Sequence, residues 1–453
     1  MSLPDVAAVH RIELQNFERA ILARQTQIES WFRAQWRHHR APFYGSVDIR
    51  NSGYKLASID MNLFPGGFNN LNPVFLPLAS IAAQDAVERA SAEAQSVLLI
   101  PENHTRNTFY LQNVYALYSV LRHGGLNVRI GTLNPEINQA TTLETALGDS
   151  ITLEPIQRQG NRLQLADGFT PCMVLLNNDL SGGVPEILQG LEQILLPPVK
   201  AGWTTRRKSN HFHAYNQVAT EFAQLVGIDE WTINPYFEVC SGLDFTSHEG
   251  ETRLAETVER LLQRIQHKYD ELGIQDKPFV IVKADAGTYG MGVMSVHSAD
   301  EVRGLNRKKR NKMAKIKEGL EVSEVIVQEG IYTYETLDGA TAEPVVYMMD
   351  RFVVGGFYRV HQDRGPDENL NAVGMHFVPL NCNIASPEIE NAEEETASKR
   401  EFKPWGQLSI PQAKNIAQAS DCESTRLYVY GVLARLSLLA AAIELENMPE
   451  PAV

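Results

Sequence analysis

The chain predicts a mixed α/β fold in which a layered α/β half precedes a half built on closely spaced strands. Three observations carry this. Between residues 79 and 177, short apolar runs alternate with amphipathic stretches at short spacing, the pattern of a parallel α/β layer. Between Pro278 and Val296, two β-branched runs flank Gly287, Gly290 and Gly292, the pattern of a strand-to-strand turn. Between Glu324 and Arg359, three more apolar runs follow one another closely. A length of 453 residues leaves room for roughly two to four domains. The patterns divide the chain into an N-terminal helical segment, 1–43, an α/β substrate domain, 44–230, and a second domain, 231–453.

Composition narrows the function. With 43% hydrophobic and 21% charged residues this is an ordinary globular chain. No apolar run of about 18 residues predicts a membrane span, and Met-Ser-Leu-Pro-Asp-Val lacks the basic start of a signal peptide. Cys172, Cys240, Cys382 and Cys422 are scattered without paired spacing, which argues against a zinc site or disulfide framework and for the cytoplasm. A net charge of −14 works against nucleic-acid binding. One basic run, from Arg303 to Lys317, opposes that trend; it reads first as a solvated helix, and otherwise as a nucleic-acid contact or as positive potential beside a bound polyphosphate. Nothing in the sequence decides homo-oligomerisation.

In order, residues 1–40 read as amphipathic helix through Ile12, Phe17, Ile21, Ile28 and Phe32 and end in Arg37-His38-His39-Arg40. Adjacent histidines diverge on any regular element, so this is no metal site. Strands over 44–50 and 55–60 lead into Met61–Asn70, a loop dense in glycine and amides. Such a loop presents donors and acceptors from fixed positions, so Arg50, Lys55, Asp60, Asn62 and Asn69 are candidates for a small polar substrate. A turn-rich surface loop would look the same. Helices near 79–94 and 108–123 alternate with strands at 96–100 and 127–131. Glu102, His104, Arg106 and Asn107 follow a strand's carboxyl end, where open α/β sheets gather ligands.

A strand at Cys172–Asn177 follows, then the basic stretch Lys200–His213, with Lys200, Arg206, Arg207 and Lys208 placed to capture an anion or simply to open a surface helix. Leu254, Val258, Leu261 and Ile265 mark an amphipathic helix ended by Gly273. The final helix, 424–444, carries a core stripe.

The glycine hairpin carries the sharpest chemistry. Glycines let backbone N–H groups converge on an anion, and Lys283 at the strand end adds a point charge. The loop is not a Walker A loop, because no Gly-Lys-Ser/Thr follows. It is not a dinucleotide fingerprint, because the glycines run into a strand. No His-Arg-Asp or Asp-Phe-Gly follows, which excludes a protein kinase.

Lys283, the glycine loop, Val327-Gln328-Glu329-Gly330, the strand ending in Asp350, Arg359 and Asn369-Leu370-Asn371 together resemble an ATP-grasp ligase. Asp350 to Asn371 is similar to the matching stretch of bacterial glutathione synthetases, with Arg364-Gly365 and an insertion before Asn369-Leu370. Phe64–Asn70 and Glu102–Asn107 resemble the proteobacterial glutamate–cysteine ligase family that carries this ATP-grasp half. That resemblance implies an ATP-grasp domain and ATP-driven joining of the L-glutamate γ-carboxylate to L-cysteine through an acyl phosphate; the alternative is an ATP-grasp ligase of another amino acid or dipeptide, such as a glutathione-synthetase-like enzyme. It implies ATP and Mg²⁺ as cofactors. Lys283 and Arg359 would be catalytic, and Lys283, Gly287, Tyr289, Gly290, Gly292, Gln328, Glu329 and Gly330 would hold ATP. Asp350, Asn369 and Asn371 would hold the metal. The family's second phosphate lysine has no clear match; Arg253 and Lys268 are its candidates. The glycine loop would close to shield the acyl phosphate from water.

Overall fold

The computed structural model describes residues 11–245, 250–286, 292–305, 310, 313, 322–380 and 423–449. Three sheets organise them. The first is antiparallel and joins distant parts of the chain: β1 (Tyr44–Asn51) and β2 (Leu56–Asn62) continue a sheet formed by β16 (Ala340–Met349), β17 (Phe352–His361) and β18 (His376–Pro379), in the order β18-β17-β16-β1-β2. The short β15 (Thr336–Leu337) pairs with β16. A division at residues 230 and 231 therefore separates β1 and β2 from the sheet they complete. Hydrogen bonding across more than 280 residues, such as Asp48 opposite Val345, leaves no local mark in sequence.

The second sheet is the predicted α/β layer. Its order is β10-β9-β3-β4-β6-β5, parallel except at the β5 edge. It contains β3 (Ser96–Pro101), β4 (Asn127–Thr132), β5 (Thr141–Glu144), β6 (Ser150–Pro155), β9 (Met173–Asn177) and β10 (Ile194–Leu196). A small hairpin, β7 (Gln157–Gln159) and β8 (Arg162–Gln164), lies off it. The central strands β3 and β9 read as continuous apolar runs because both faces are covered. The helices α3 (Leu76–Ala90) and α4 (Thr108–His123) contribute to that cover.

The third sheet is antiparallel, β11-β14-β12-β13, from β11 (Phe237–Ser241), β12 (Val280–Ala284), β13 (Val293–Val296) and β14 (Glu324–Glu329). The strands flanking the glycine segment pair as expected, Lys283 opposite Val293. Residues 287–291 lie outside the described residues, and so do most of the basic run from 303 to 317. The helix α6 (Glu251–Leu272) lays Leu254, Val258, Leu261 and Ile265 on Val280, Val282, Val325 and Val327, and Gly273 ends it in the left-handed region.

Four further helices frame the assembly: α1 (Arg11–Ala23) and α2 (Gln25–His38) at the N-terminus, α5 (Lys208–Val226), and α7 (Ala299–Arg303) after β13. The last helix, α8 (Glu423–Asn447), is apolar around its circumference rather than along one stripe. Leu433, Leu436, Leu438, Leu439 and Ala441 are all buried in the core shared with α5 and the first sheet. Its stretch Arg426–Asn447 is long and apolar enough to cross a membrane, yet most of it is buried within the protein. Cys172 and Cys240 are free thiols.

Candidate functional site

A cleft lined by charged and amide side chains opens between the first and third sheets. Strand alternation aims the charges into it. Asp48 and Arg50 are two residues apart on β1, so they share a face. Asp60 on β2 stands directly opposite Asp48, and Glu343 on β16 directly opposite Arg359 on β17. From the third sheet come Lys283 and Gln328, diagonal neighbours across β12 and β14. From the start of α5 comes Lys208.

Two guanidinium groups share Glu343. Arg50 Nε donates to Glu343 Oε2 at 2.9 Å, and Arg359 Nη1 donates to Glu343 Oε1 at 2.6 Å and to Asp48 Oδ2 at 2.9 Å. Arg50 also reaches the carbonyls of Ile331, Pro366 and Glu368, fastening the segment that carries Asn369. Arg359 keeps one buried donor, Nε, with no partner among the described residues. Burial works against ionising Glu343, but Arg50 and Arg359 outweigh it and hold that carboxyl low. Burial raises the Asp48 carboxyl above the usual range, opposed by Arg359 and reinforced by Glu343.

Lys283 is differently placed. Its ammonium donates to Gln328 Oε1 at 2.7 Å and to the Ile59 carbonyl at 2.8 Å, both uncharged acceptors. Burial lowers it to about 8, against the pull of Asp60. Because the Gln328 oxygen accepts from Lys283, its amide nitrogen is the donor left over, buried and without a partner among the described residues. Lys208 Nζ bonds Asp60 Oδ1 at 2.9 Å and sits 4.3 Å from the Trp203 ring centre. Burial would raise Asp60, but Lys208 and Lys283 overcome this and keep it ionised. Asp285, just past β12, accepts from Ser209 N at 2.8 Å and Ser209 Oγ at 2.7 Å, which ties the first turn of α5 to the strand that leads into the glycine segment.

Of the sequence-predicted residues, Lys283, Arg359, Gln328, Glu329, Arg50, Asp60, Asn369 and Asn371 line this cleft. The Glu329 carboxylate is occupied, however, by Lys55 at 3.0 Å, Trp231 Nε1 at 3.1 Å and Tyr236 N at 2.9 Å. Lys55 is thus a buried partner of Glu329 and is not among the cleft-lining residues. Gly292 takes φ +63°, which glycine alone accepts readily, while Gly287, Tyr289 and Gly290 lie outside the described residues. Gly330 lies against the Phe279 ring, which an added Cβ would meet at 2.3 Å; close packing accounts for this glycine.

Other candidates fall elsewhere. Asn62 turns back on the Phe64 amide at 2.9 Å, and Asn69 bonds Asn70 at 3.3 Å. The amides of Gly67 and Phe68 both donate to Asn113, so part of the 61–70 loop's donor set is taken up in attaching it to α4. Glu102 and His104 line a separate cavity at the carboxyl edge of the parallel sheet, and Asn107 caps α4 through Tyr110 N at 3.1 Å. Arg106 lines neither cavity. Asp350 is a correction. It lies past the end of β16, away from Asn369 and Asn371, with Arg89 at 3.0 Å, because seven residues of strand separate it from Glu343. Lys268 pairs with Asp229 at 2.6 Å, and Arg253 bonds the Ser241 carbonyl; neither lines the cleft. Lys208 does, and the basic stretch before α5 was the signal that pointed to it.

Among the described residues no group of three or more His, Cys, Asp and Glu is arranged to hold a metal. Mg²⁺ asks for less, one or two carboxylates with phosphates and water completing its shell. Asp48, with the amides of Asn369 and Asn371, supplies hard oxygen donors of that type at the cleft.

The family model for glutamate–cysteine ligase matches residues 18–445. A crystal structure of a protein assigned as a gamma-glutamylcysteine synthetase, from Methylobacillus flagellatus KT, is 57% identical, covers 99% of this chain and 100% of its own, and superposes with a TM-score of 0.85. A glutathione-synthetase-like effector of Globodera pallida (11% identity, 79% of this chain and 82% of its own, TM-score 0.36) and D-alanyl-alanine synthetase A of Vibrio cholerae (11%, 75% and 81%, 0.31) are too distant to bear on the fold. No curated protein matches the chain. The chain belongs to the glutamate–cysteine ligase family.

Proposed function

We propose that the cleft between the two antiparallel sheets is where this ligase binds ATP and joins L-glutamate to L-cysteine, in the manner of an ATP-grasp enzyme. The observation that carries the reading is convergence. Lys283, Lys208 and Arg359 reach one cleft from three elements, and two buried donors there, Gln328 Nε2 and Arg359 Nε, await acceptors. Buried donors are rarely left unpaired unless a ligand or water completes them.

A carboxylate does not react with an amine unaided. A γ-carboxylate oxygen of glutamate attacks the γ-phosphorus of ATP, the bond to the ADP oxygen breaks, and an acyl phosphate forms. The cysteine nitrogen then attacks the acyl carbon, the carbon–oxygen bond to phosphate breaks, and the nitrogen gives up its proton to solvent. The protein's share is positioning and neutralisation of charge. Lys283 and Lys208 hold phosphate oxygens, and Gln328 orients Lys283. Arg359 faces the charge that develops on the transferred phosphoryl group, held in place by Asp48 and Glu343. Arg50 and Glu343 keep that arginine aimed. Mg²⁺, held by Asp48 with Asn369 or Asn371, would neutralise polyphosphate charge. The free thiols Cys172 and Cys240 fit a reducing compartment, the cytoplasm.

The test is ADP release from the purified chain with ATP and Mg²⁺, adding L-glutamate and L-cysteine singly and together and determining product mass. Release requiring both, with the mass of γ-glutamylcysteine, is expected. Release driven by another amino-acid pair would move the substrate assignment, and no release with any amino acid would end it.

A further inference from the structure

We propose that a second pocket, at the opposite end of β1 and β16 from the cleft, binds a small acidic amino acid or short acidic peptide. The pocket is open, with a volume of about 390 Å³, and continues through Arg40, Ala41, Arg89 and Asp350 into a neighbouring groove. In a chain of net charge −14 its lining is cationic, with Arg37, Arg40, Arg89 and Arg351 against one acid, Asp350. Asp350 follows β16 directly, seven residues beyond Glu343. At about 3.3 Å per residue that separates the pocket from the cleft by roughly 23 Å.

The cations are only partly answered within the protein. Arg37 has no ion-pair partner among the described residues. Arg351 makes only long contacts, 3.6 Å to Asp85 and 3.8 Å to Asp350. Arg40 reaches a single carbonyl, that of Arg89, at 3.3 Å. Arg89 is shared between Asp85 and Asp350. Unlike a solvated patch of arginines, the pocket also has a built floor. The Asp350 side chain is only 3% exposed, and its Oδ2, although 3.0 Å from Arg89, has no hydrogen-bond partner. A largely buried carboxylate beside loosely paired arginines matches a zwitterion. Its ammonium donates to Asp350, and its carboxylates reach Arg37, Arg40 and Arg351.

The experiment is calorimetric titration of the full chain with L-glutamate, a non-hydrolysable ATP analogue filling the nucleotide site. Two glutamates bound per chain are expected. Arg37→Ala/Arg351→Ala should lose one of them, by at least tenfold in affinity, and keep the other. A count that the double variant leaves unchanged would overturn the proposal. Circular dichroism checks folding, and the single substitution Arg37→Glu gives the same reading with less disruption. Glutarate, which lacks the ammonium, should bind the second pocket at least tenfold more weakly than glutamate; equal binding would overturn the role of Asp350. The ligase assignment is separate. If no amino acid drives ADP release, the second pocket still stands or falls on Arg37→Ala/Arg351→Ala alone.

Discussion

Two pairs of buried cations in this protein invite comparison. Arg206 and Arg359 are 1% and 8% exposed, and Lys55 and Lys283 are 2% and 8% exposed. Arg206 is closed: both oxygens of Glu444 accept from it at 2.9 to 3.1 Å, and Met61 O takes a further N–H at 2.9 Å. Lys55 is closed too, held by Glu329 and the Asn234 carbonyl and lying 4.1 Å from the Trp231 ring centre. Among the described residues Arg359 keeps a bare Nε and Lys283 bonds only neutral oxygens. Burial brings both lysines to about 8, so the difference lies not in proton affinity but in what remains unsatisfied. A closed buried charge joins elements; an open one is ready for a ligand's charge.

Substitutions test this division. The largest effect expected is on stability at Arg206. Arg206→Ala leaves Glu444 buried without its guanidinium and should cost about 3–5 kcal/mol in chemical denaturation, with turnover per folded molecule close to normal. A stable Arg206→Ala protein that had lost turnover would break the comparison.

Lys283→Ala and Arg359→Ala should do the reverse, lowering turnover by at least ~10²-fold, as losing one preorganised charge-stabilising group does. Lys283→Ala should leave the melting temperature nearly unchanged, since it strands no buried acid. Arg359→Ala should lower it, because Asp48 and Glu343 lose their shared partner. Near-normal kcat in either variant would remove that residue from the mechanism.

The acid–base state of Lys283 sharpens the contrast. Its cation is present below about 8 and is lost as pH rises through that value. In the free enzyme kcat/KM for ATP should therefore fall above pH 8, by about tenfold per pH unit. Lys283→Arg, whose cation persists, should shift this limb upward. A profile flat to pH 10 would show that no open lysine governs ATP capture.

The smallest effects separate two lysines. Lys208→Ala should raise KM for ATP about tenfold, by removing one cation from the cleft. Lys268→Ala breaks an ion pair near the surface and should change KM less than about twofold. Equal effects would return the second phosphate lysine to an open question.

Much of this was legible in the chain. The apolar runs at 96–100, 127–131 and 172–177, the α6 stripe and the paired runs around Lys283 each became the predicted element, because hydrophobic periodicity and glycine placement act over a few residues. β5, β6, β7, β8, β10, β11, β15 and β18 were not foreseen. They are short, and polar or partly exposed, so they carry little periodic signal. At the site, Lys283, Arg359, Gln328, Arg50, Asp60, Asn369 and Asn371 were named from sequence and do meet at one cleft. Asp350, Lys55, Asn62, Asn69, Glu102, His104, Arg106 and Asn107 were also named and do not line it.

What local chemistry determined, then, was which segments are strands or helices and which stretches carry dense charge. Tertiary structure alone decided that β1 completes a sheet with β16, placing Asp48 and Arg50 beside Glu343 and Arg359 across nearly three hundred residues. It alone decided that Glu329 turns to Lys55 while Gln328 turns to Lys283. The reason is physical: a side chain's electrostatic role depends on which partners the long-range pairings bring within about 4 Å, and no local window of sequence contains those partners.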